Sequence, residues 1–341
     1  MLSNSKKWIK GLRLIVAFAA YGFVALKLYQ QGTDNILSEL NGTVFFKHWY
    51  VLFIAIGLMP LAWGIEAYKW KLALIGVERI SFFDAWKSVW YGVVAGFLTP
   101  NRIGEPFGRM AFVEAKNRGK ATLLGIWCGI SQQLATLIFG FIGLFYWIFS
   151  AKENLEISFW NSYYLIFIIF AIGIAILVFI SIGGISSKLQ KIAPLRRVLS
   201  GETLSITTGP KKSIYVLLLS LVRYSIFSSQ LVLFLHFFGV NDEIFTLFAA
   251  VFLTYLFASV VPSFTISEVV VRSGFAVAII GTIAPNAVGV IAATIALWIL
   301  NIAFPVVVAV WFPWFVKKKH QKGNYFLGLT FSRSQKQPGP V

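Results

Sequence analysis

Residues 98–109 read LTPNRIGEPFGR, and residues 261–272 read VPSFTISEVVVR. Both segments contain proline, a short link, isoleucine, then glycine or serine, a glutamate, and an arginine four residues after the glutamate. Each lies near the middle of an apolar run, 82–113 in the first half of the chain and 244–283 in the second. Proline lacks a backbone donor and ends a helix, so the pattern predicts a broken helix in each run and an internal repeat.

The composition is that of a membrane protein. Hydrophobic residues make up 58% of the sequence and charged residues only 13%, whereas an average soluble domain carries about 25% charged residues. The unbroken apolar runs are about as long as the roughly 20 residues that cross a hydrocarbon core about 30 Å thick. The sequence therefore predicts an all-α polytopic membrane protein. About six full transmembrane helices are expected, at 12–29, 49–70, 122–149, 163–183, 213–238 and 287–315.

The net charge of +17 reflects topology and lipid contact, and we expect no nucleic-acid partner. Lysines and arginines lie at the ends of apolar runs and in a few loops, where a basic excess marks the cytoplasmic side. This pattern places the N-terminus (1–11) and the basic tail (316–341) in the cytoplasm of a bacterial-type cell, as a multi-pass protein of the cytoplasmic (inner) membrane. The run 12–29 is long for a cleaved signal peptide, so we interpret it as a retained helix.

The two broken runs end on the face where they begin. Run 82–113 is flanked by basic, cytoplasmic segments, and run 244–283 by poorly basic, external ones. Irregular backbone at membrane depth is tolerated where protein or a water-filled cavity surrounds it, so we expect two re-entrant hairpins entering from opposite faces. Each half, 12–149 and 150–315, then contains two spans, a hairpin and one span. This inverted repeat is typical of transporters whose broken helices form the substrate site.

The charged residues of the repeat form the candidate substrate site. Glu105 and Arg109, like Glu268 and Arg272, are four residues apart on one helix face, so each pair can form an ion pair. An unpaired charge at bilayer depth costs roughly 2.5–3.5 kcal/mol, and a phosphate could compete with the glutamates for arginine. Purely structural ion pairs are the alternative. The predicted substrate-binding residues are Pro100, Asn101, Arg102, Glu105, Arg109, Arg223, Pro262, Ser263, Thr265, Glu268 and Arg272.

Other intramembrane polar residues divide into two groups. Arg223 is charged and lies in the middle of the fifth predicted span, so it is a candidate partner for a hairpin glutamate or a lipid phosphate. Arg102 fits a cytoplasmic anchor or a headgroup contact equally well. Gln132, Gln133 and Asn301 are interpreted as structural contacts between helices.

The end of the second span carries a cluster of charged and aromatic residues. Glu66, Lys69, Trp70 and Lys71 lie where aromatic belts and snorkelling lysines are expected. We interpret this cluster mainly as an interface anchor.

Enzyme signatures are missing from the sequence. Its three histidines and single cysteine, Cys128, are not at metal-ligand spacing, and no phosphate-binding glycine loop or nucleophile elbow occurs. We therefore predict no catalytic residues, no metal and no cofactor, which favours a transporter over an enzyme.

The chain resembles the lysylphosphatidylglycerol synthase transmembrane family, whose members are flippase-like, over roughly residues 10–315. The motifs that carry the resemblance are Glu66 to Trp70, Thr99 to Arg109 and Pro262 to Glu268. Many members have a glycine-rich second segment, where this chain has Ser263-Phe264-Thr265. Bifunctional relatives also carry a C-terminal aminoacyltransferase domain, which we do not expect here.

The resemblance implies the flippase activity alone. Its expected substrate is a membrane phospholipid or lipid phosphate, described as an anionic, aminoacylated or polyprenyl-phosphate lipid, which is moved between leaflets. The alternative is a membrane-embedded transferase or an accessory factor in glycolipid or cell-envelope assembly. Assembly into a homo-oligomer stays open.

Overall fold

The computed structural model describes residue 22, five ranges of the membrane region and four residues of the tail. The five ranges are 49–99, 102–150, 159–189, 208–261 and 265–311. Their helices are α1 Trp49–Leu74, α2 Phe82–Phe97, α3 Glu105–Arg109, α4 Arg118–Ser150, α5 Phe159–Leu189, α6 Pro210–Phe237, α7 Ile244–Val260, α8 Thr265–Ile280, α9 Ala287–Trp298 and α10 Phe304–Trp311. Two 3₁₀ turns, Met110–Phe112 and Ala115–Asn117, connect α3 to α4. In the tail, β1 (Tyr325–Phe326) pairs antiparallel with β2 (Leu329–Thr330).

The all-α polytopic fold is confirmed. Four helical stretches of the described chain are long and apolar enough to cross a membrane, and they are Trp49–Leu74, Ala115–Ser150, Pro210–Phe237 and Ala287–Trp311. They contain or closely match the second, third, fifth and sixth predicted spans. The fourth predicted span, 163–183, lies within α5. The first, 12–29, lies outside the described residues apart from residue 22.

Both predicted breaks occur. In the first broken segment (82–113), α2 ends at Phe97 and α3 begins at Glu105, and Arg102 between them has a positive φ of 56°. In the second broken segment (244–283), α7 ends at Val260 and α8 begins at Thr265.

The helices of the broken segments are short. Helices α2, α7 and α8 have 16, 17 and 16 residues, so each rises about 24–26 Å, less than the roughly 30 Å of a hydrocarbon core. Helix α3 packs back on α2, and α8 on α7. Entry from opposite faces, and the division into repeats 12–149 and 150–315, stay predictions.

Packing is organised around two hydrophobic cores. The first surrounds α6, α7, α8 and α9, and the second surrounds α1, α2 and the N-terminal half of α4. Helix α6 lies along α1, and α7 lies along α4. A Cβ atom added to Gly143 of α4 would lie 2.7 Å from the carbonyl oxygen of Ala249, so small residues let α4 and α7 approach closely. The space between the two cores holds the charged residues.

The last span is locally irregular. A π-helical turn, Ile299–Ala303, separates α9 from α10. Pro305 lies four residues after Asn301 and has no N–H for the carbonyl of that residue, which explains the loss of regular α-helical bonding. The turn brings Asn301 to the wall of the charged cavity described below.

Replacing Gly108 by leucine is expected to destabilise the first broken segment. A Cβ atom at Gly108 would lie 2.4 Å from the carbonyl oxygen of Tyr91 and 2.8 Å from the Cβ atom of Ala95. Overpacking of this kind costs about 1–3 kcal/mol, so the thermal unfolding temperature in detergent should fall. The matched control is Gly119→Leu, because a Cβ atom there has no neighbour within 4 Å. Equal unfolding temperatures for the two variants would contradict this packing.

Candidate functional site

A cavity of about 780 Å³ lies between the two broken segments. Its wall is formed by residues of α1, α3, α4, α6, α7, α8 and the π-helical turn. Seven charged residues line it, four arginines and three glutamates, which leaves an excess of one positive charge. They are Glu66, Arg102, Glu105, Arg109, Arg223, Glu268 and Arg272.

The first broken segment contributes three of these charges. Arg109 Nη2 lies 2.6 Å from Glu105 Oε1, which is the ion pair expected from their spacing. Arg102 Nε lies 3.4 Å from Glu105 Oε2. Arg109 is buried, with 4% of its surface exposed. Both arginines of this segment therefore converge on one carboxylate at the cavity wall.

Glu66 of α1 is surrounded by three cationic groups. Its carboxylate lies 2.7 Å from Lys69 Nζ, 2.8 Å from Arg109 Nη2 and 3.5 Å from Arg223 Nε. Lys69 also donates a hydrogen bond of 3.1 Å to Ser220 Oγ of α6. Glu66 thus joins α1, the first broken segment and α6 in a buried ionic network.

The interpretation of this cluster as an interface anchor is wrong for three of its four residues. Glu66, Lys69 and Trp70 are buried, and Lys69 and Trp70 have no exposed surface. A snorkelling lysine would expose its ammonium group to water, whereas Lys69 points into the protein because Glu66 and Ser220 bind it there.

Trp70 fixes the backbone of the first broken segment. Its Nε1 donates a hydrogen bond of 2.8 Å to Ser88 Oγ, and that hydroxyl donates one of 2.5 Å to the carbonyl oxygen of Arg109. The Arg109 guanidinium also lies 5.7 Å from the centroid of the Trp70 ring, within cation–π range. Helix α1 therefore positions Arg109 through both its side chain and its backbone.

Arg223 of α6 lies at the cavity wall, but its direct partner differs from the expected one. It pairs with Glu66 rather than with a glutamate of a broken segment. Its Nη1 donates a hydrogen bond of 3.2 Å to Gln132 Oε1, and its guanidinium lies 5.1 Å from the Trp63 ring centroid. Gln132 and Gln133, which we interpreted as structural, both line the cavity.

The second broken segment presents an ion pair between Glu268 Oε1 and Arg272 Nη2. The Arg272 guanidinium lies 5.5 Å from the ring centroid of Tyr255 and 5.9 Å from that of Phe227. Arg102 of the first broken segment and Glu268 of the second both line the cavity. The charged residues of the two broken segments therefore face the same cavity.

The remaining predicted site residues lie at the two breaks. Pro100, Asn101, Pro262 and Ser263 lie outside the described residues. Thr265 begins α8, and its side chain also lies outside the described part. A substrate-binding role for any residue of the predicted set stays a prediction.

Several buried donors at the cavity wall have no acceptor among the described residues. They are Nε and Nη1 of Arg109 and Nε1 of Trp63. Arg223 Nε has its ion pair with Glu66 but no hydrogen bond within the same ranges. These atoms expose no surface to the cavity, and buried donors without an acceptor cost free energy. Within the described ranges no three His, Cys, Asp or Glu side chains are grouped so that they could hold a metal ion.

A family model describing the lysylphosphatidylglycerol synthase TM region matches residues 11–327. The chain belongs to this family. It is a multi-pass membrane protein of a family associated with lipid handling, and the match covers both broken segments and the cavity between them. The motif from Glu66 to Trp70 lies near the end of α1. Its residues Glu66 and Trp70 position Arg109, which is a structural reason for this part of the family resemblance. Neither the curated proteins nor the solved structures include a significant match.

Proposed function

We propose that this protein is a lipid translocase that moves an anionic, aminoacylated or polyprenyl-phosphate lipid between the leaflets of a bacterial-type inner membrane. The observation that carries the proposal is the cavity of about 780 Å³ to which both broken segments present glutamate and arginine. Charges at membrane depth are costly and mark substrate pathways, and a cavity between broken helices is the usual substrate site of transporters.

A lipid phosphate suits the electrostatics of this cavity. Its four arginines outnumber its three glutamates. Guanidinium groups bind phosphate oxygens through paired N–H bonds. A headgroup phosphate can therefore compete with Glu105 and Glu268 for their arginines.

Reconstitution into vesicles with a panel of labelled lipids tests the proposal. The wild-type protein should exchange its lipid between leaflets, and the double variant Glu268→Gln with Arg272→Ala should reduce the rate to that of protein-free vesicles. These two residues form the only ion pair within the described part of the second broken segment. Removing both leaves neither charge unpaired, so folding should be preserved.

The matched control is the exposed ion pair Glu114 to Lys116, whose atoms lie 2.9 Å apart outside the cavity. Exposed pairs contribute little to stability, so Glu114→Gln with Lys116→Ala should leave exchange unchanged. Unchanged exchange in the Glu268 and Arg272 double variant would contradict the proposal. A new covalent lipid product, detected by mass spectrometry, would favour the transferase.

A further inference from the structure

One wall of the charged cavity is at the same time part of the outer surface of the protein. Ile126, Gly129, Ile130 and Gln133 of α4 line the cavity, and all four are exposed. They occupy positions i, i+3, i+4 and i+7 of the helix, so they share one helix face. The cavity is therefore open at the side of the molecule, along this face of α4.

The opening lies at the depth of one leaflet. Lys120 is the last charged residue before it, and Ile126 and Gln133 follow Lys120 by six and thirteen residues. At 1.5 Å per residue these positions lie about 9 and 20 Å further along the helix axis. With Lys120 at the headgroups, the opening extends from the upper part of the hydrocarbon core to near its middle, since that core is about 30 Å thick.

Two large apolar residues outside α4 also line the cavity and are exposed. Ile103 and Phe107 of the first broken segment line the cavity and are 62% and 50% exposed. Charged residues of the cavity are close to these two residues, because Glu105 and Arg109 are on the same short helix, α3, as Phe107. An apolar rim around a charged interior matches an amphipathic ligand whose polar end is inside and whose apolar end stays outside.

We propose that these six residues, Ile103, Phe107, Ile126, Gly129, Ile130 and Gln133, form a lateral portal for a lipid headgroup. The headgroup enters sideways from the leaflet next to Lys120, which the charge pattern assigns to the cytoplasm, while the acyl chains remain in the bilayer. The portal rests on the proposed function in that the cavity receives a lipid headgroup. It adds the route of entry and the leaflet from which this conformation loads.

Gly129 offers a selective way to close the portal. A Cβ atom added there has no neighbour within 4 Å, so a larger side chain can start from this position without a clash at its Cβ atom, and we expect tryptophan to occupy the opening. Gly57 of α1 is the matched control, because it is also exposed in a membrane-length helix, also has no neighbour within 4 Å, and does not line the cavity.

The probe is an anionic N-acyl phosphatidylethanolamine that carries a photoreactive diazirine in its headgroup. Lipids that merely surround the protein keep this group at the interface, whereas the portal brings it to residues 126–133 and to the cavity. On illumination in vesicles, the wild-type protein and Gly57→Trp should be labelled at these sites. Gly129→Trp should lose labelling of the cavity residues in 102–109 and 267–272.

Equal cavity labelling in Gly129→Trp and wild type, or labelling confined to the helix ends, would overturn the portal. Failure of the proposed function has a different signature. A protein that is labelled through the portal but exchanges no lipid is a lipid-binding protein, in which the portal stands and translocation is wrong. Exchange that continues in Gly129→Trp would leave translocation intact and remove the portal.

Discussion

Replacing Glu66 by glutamine is expected to lower both the yield of folded protein and its stability. The carboxylate of Glu66 contacts Lys69, Arg109 and Arg223, and the first two of these are buried. Removing one partner of a buried ion pair costs about 3–5 kcal/mol, and here one substitution leaves several cationic groups without their counter-charge. Total stabilities are only about 5–15 kcal/mol. The yield of monodisperse protein after detergent extraction, and its unfolding temperature, should therefore fall sharply.

Two further variants test the reason for this loss. Adding Lys69→Met to Glu66→Gln removes one buried cation and should recover part of the yield and stability. Glu114→Gln is the control for loss of a carboxylate, because Glu114 is exposed and its partner Lys116 is exposed as well. If Glu66→Gln unfolds at the wild-type temperature, or if the Lys69 substitution worsens the defect, the ionic network does not stabilise the fold.

The helices could be predicted from the sequence because their causes are local. Length and apolar composition suffice for α1, α4 and α6, since a span needs little more than an uncharged run of about 20 residues. The breaks near Pro100 and Pro262 were predictable because each proline occurs with polar residues inside an apolar run, whereas Pro60 alone does not interrupt α1. Four-residue spacing was enough for the ion pair from Glu105 to Arg109, as both atoms belong to one helix.

The role of Glu66 could not be read from composition, because two of its three partners, Arg109 and Arg223, are on other helices. Charged residues at a span end are usually exposed, and nothing local shows that Lys69 points inward. One signal was available. Trp63, Glu66 and Trp70 recur at a spacing of three and four residues, and all three are buried on one face of α1. A glutamate between two tryptophans on a helix face indicates burial rather than an interface anchor.

Arg223 shows a second limit of sequence reasoning. Its position in the middle of a span indicated a buried partner, but the choice among several glutamates depends on how α6 packs against α1. Gln132 was interpreted as a structural contact between helices. Its hydrogen bond with Arg223 joins residues 91 positions apart, so the sequence did not indicate that partner. Residue type predicted that these side chains need partners, and only the fold determines which ones.

Replacing Arg109 by lysine is expected to slow lipid exchange strongly while the protein still folds. Lysine keeps the positive charge near Glu66 and Glu105, but it lacks the planar guanidinium that matches the geometry of phosphate oxygens. Hydrogen bonds to charged groups contribute about 1.5–3 kcal/mol, so exchange in reconstituted vesicles should fall roughly ten- to a hundredfold.

The control for the chemical change is Arg118→Lys. Arg118 lies at the start of α4, does not line the cavity, and donates a long hydrogen bond of 3.4 Å from Nε to the carbonyl oxygen of Val113. It should retain wild-type exchange. A comparison of Arg109 variants is equally informative, because Arg109→Gln also removes one of the three counter-charges of Glu66 and should lower stability in addition to exchange. Wild-type exchange in Arg109→Lys would show that positive charge alone suffices, and that the guanidinium of Arg109 is not a phosphate site.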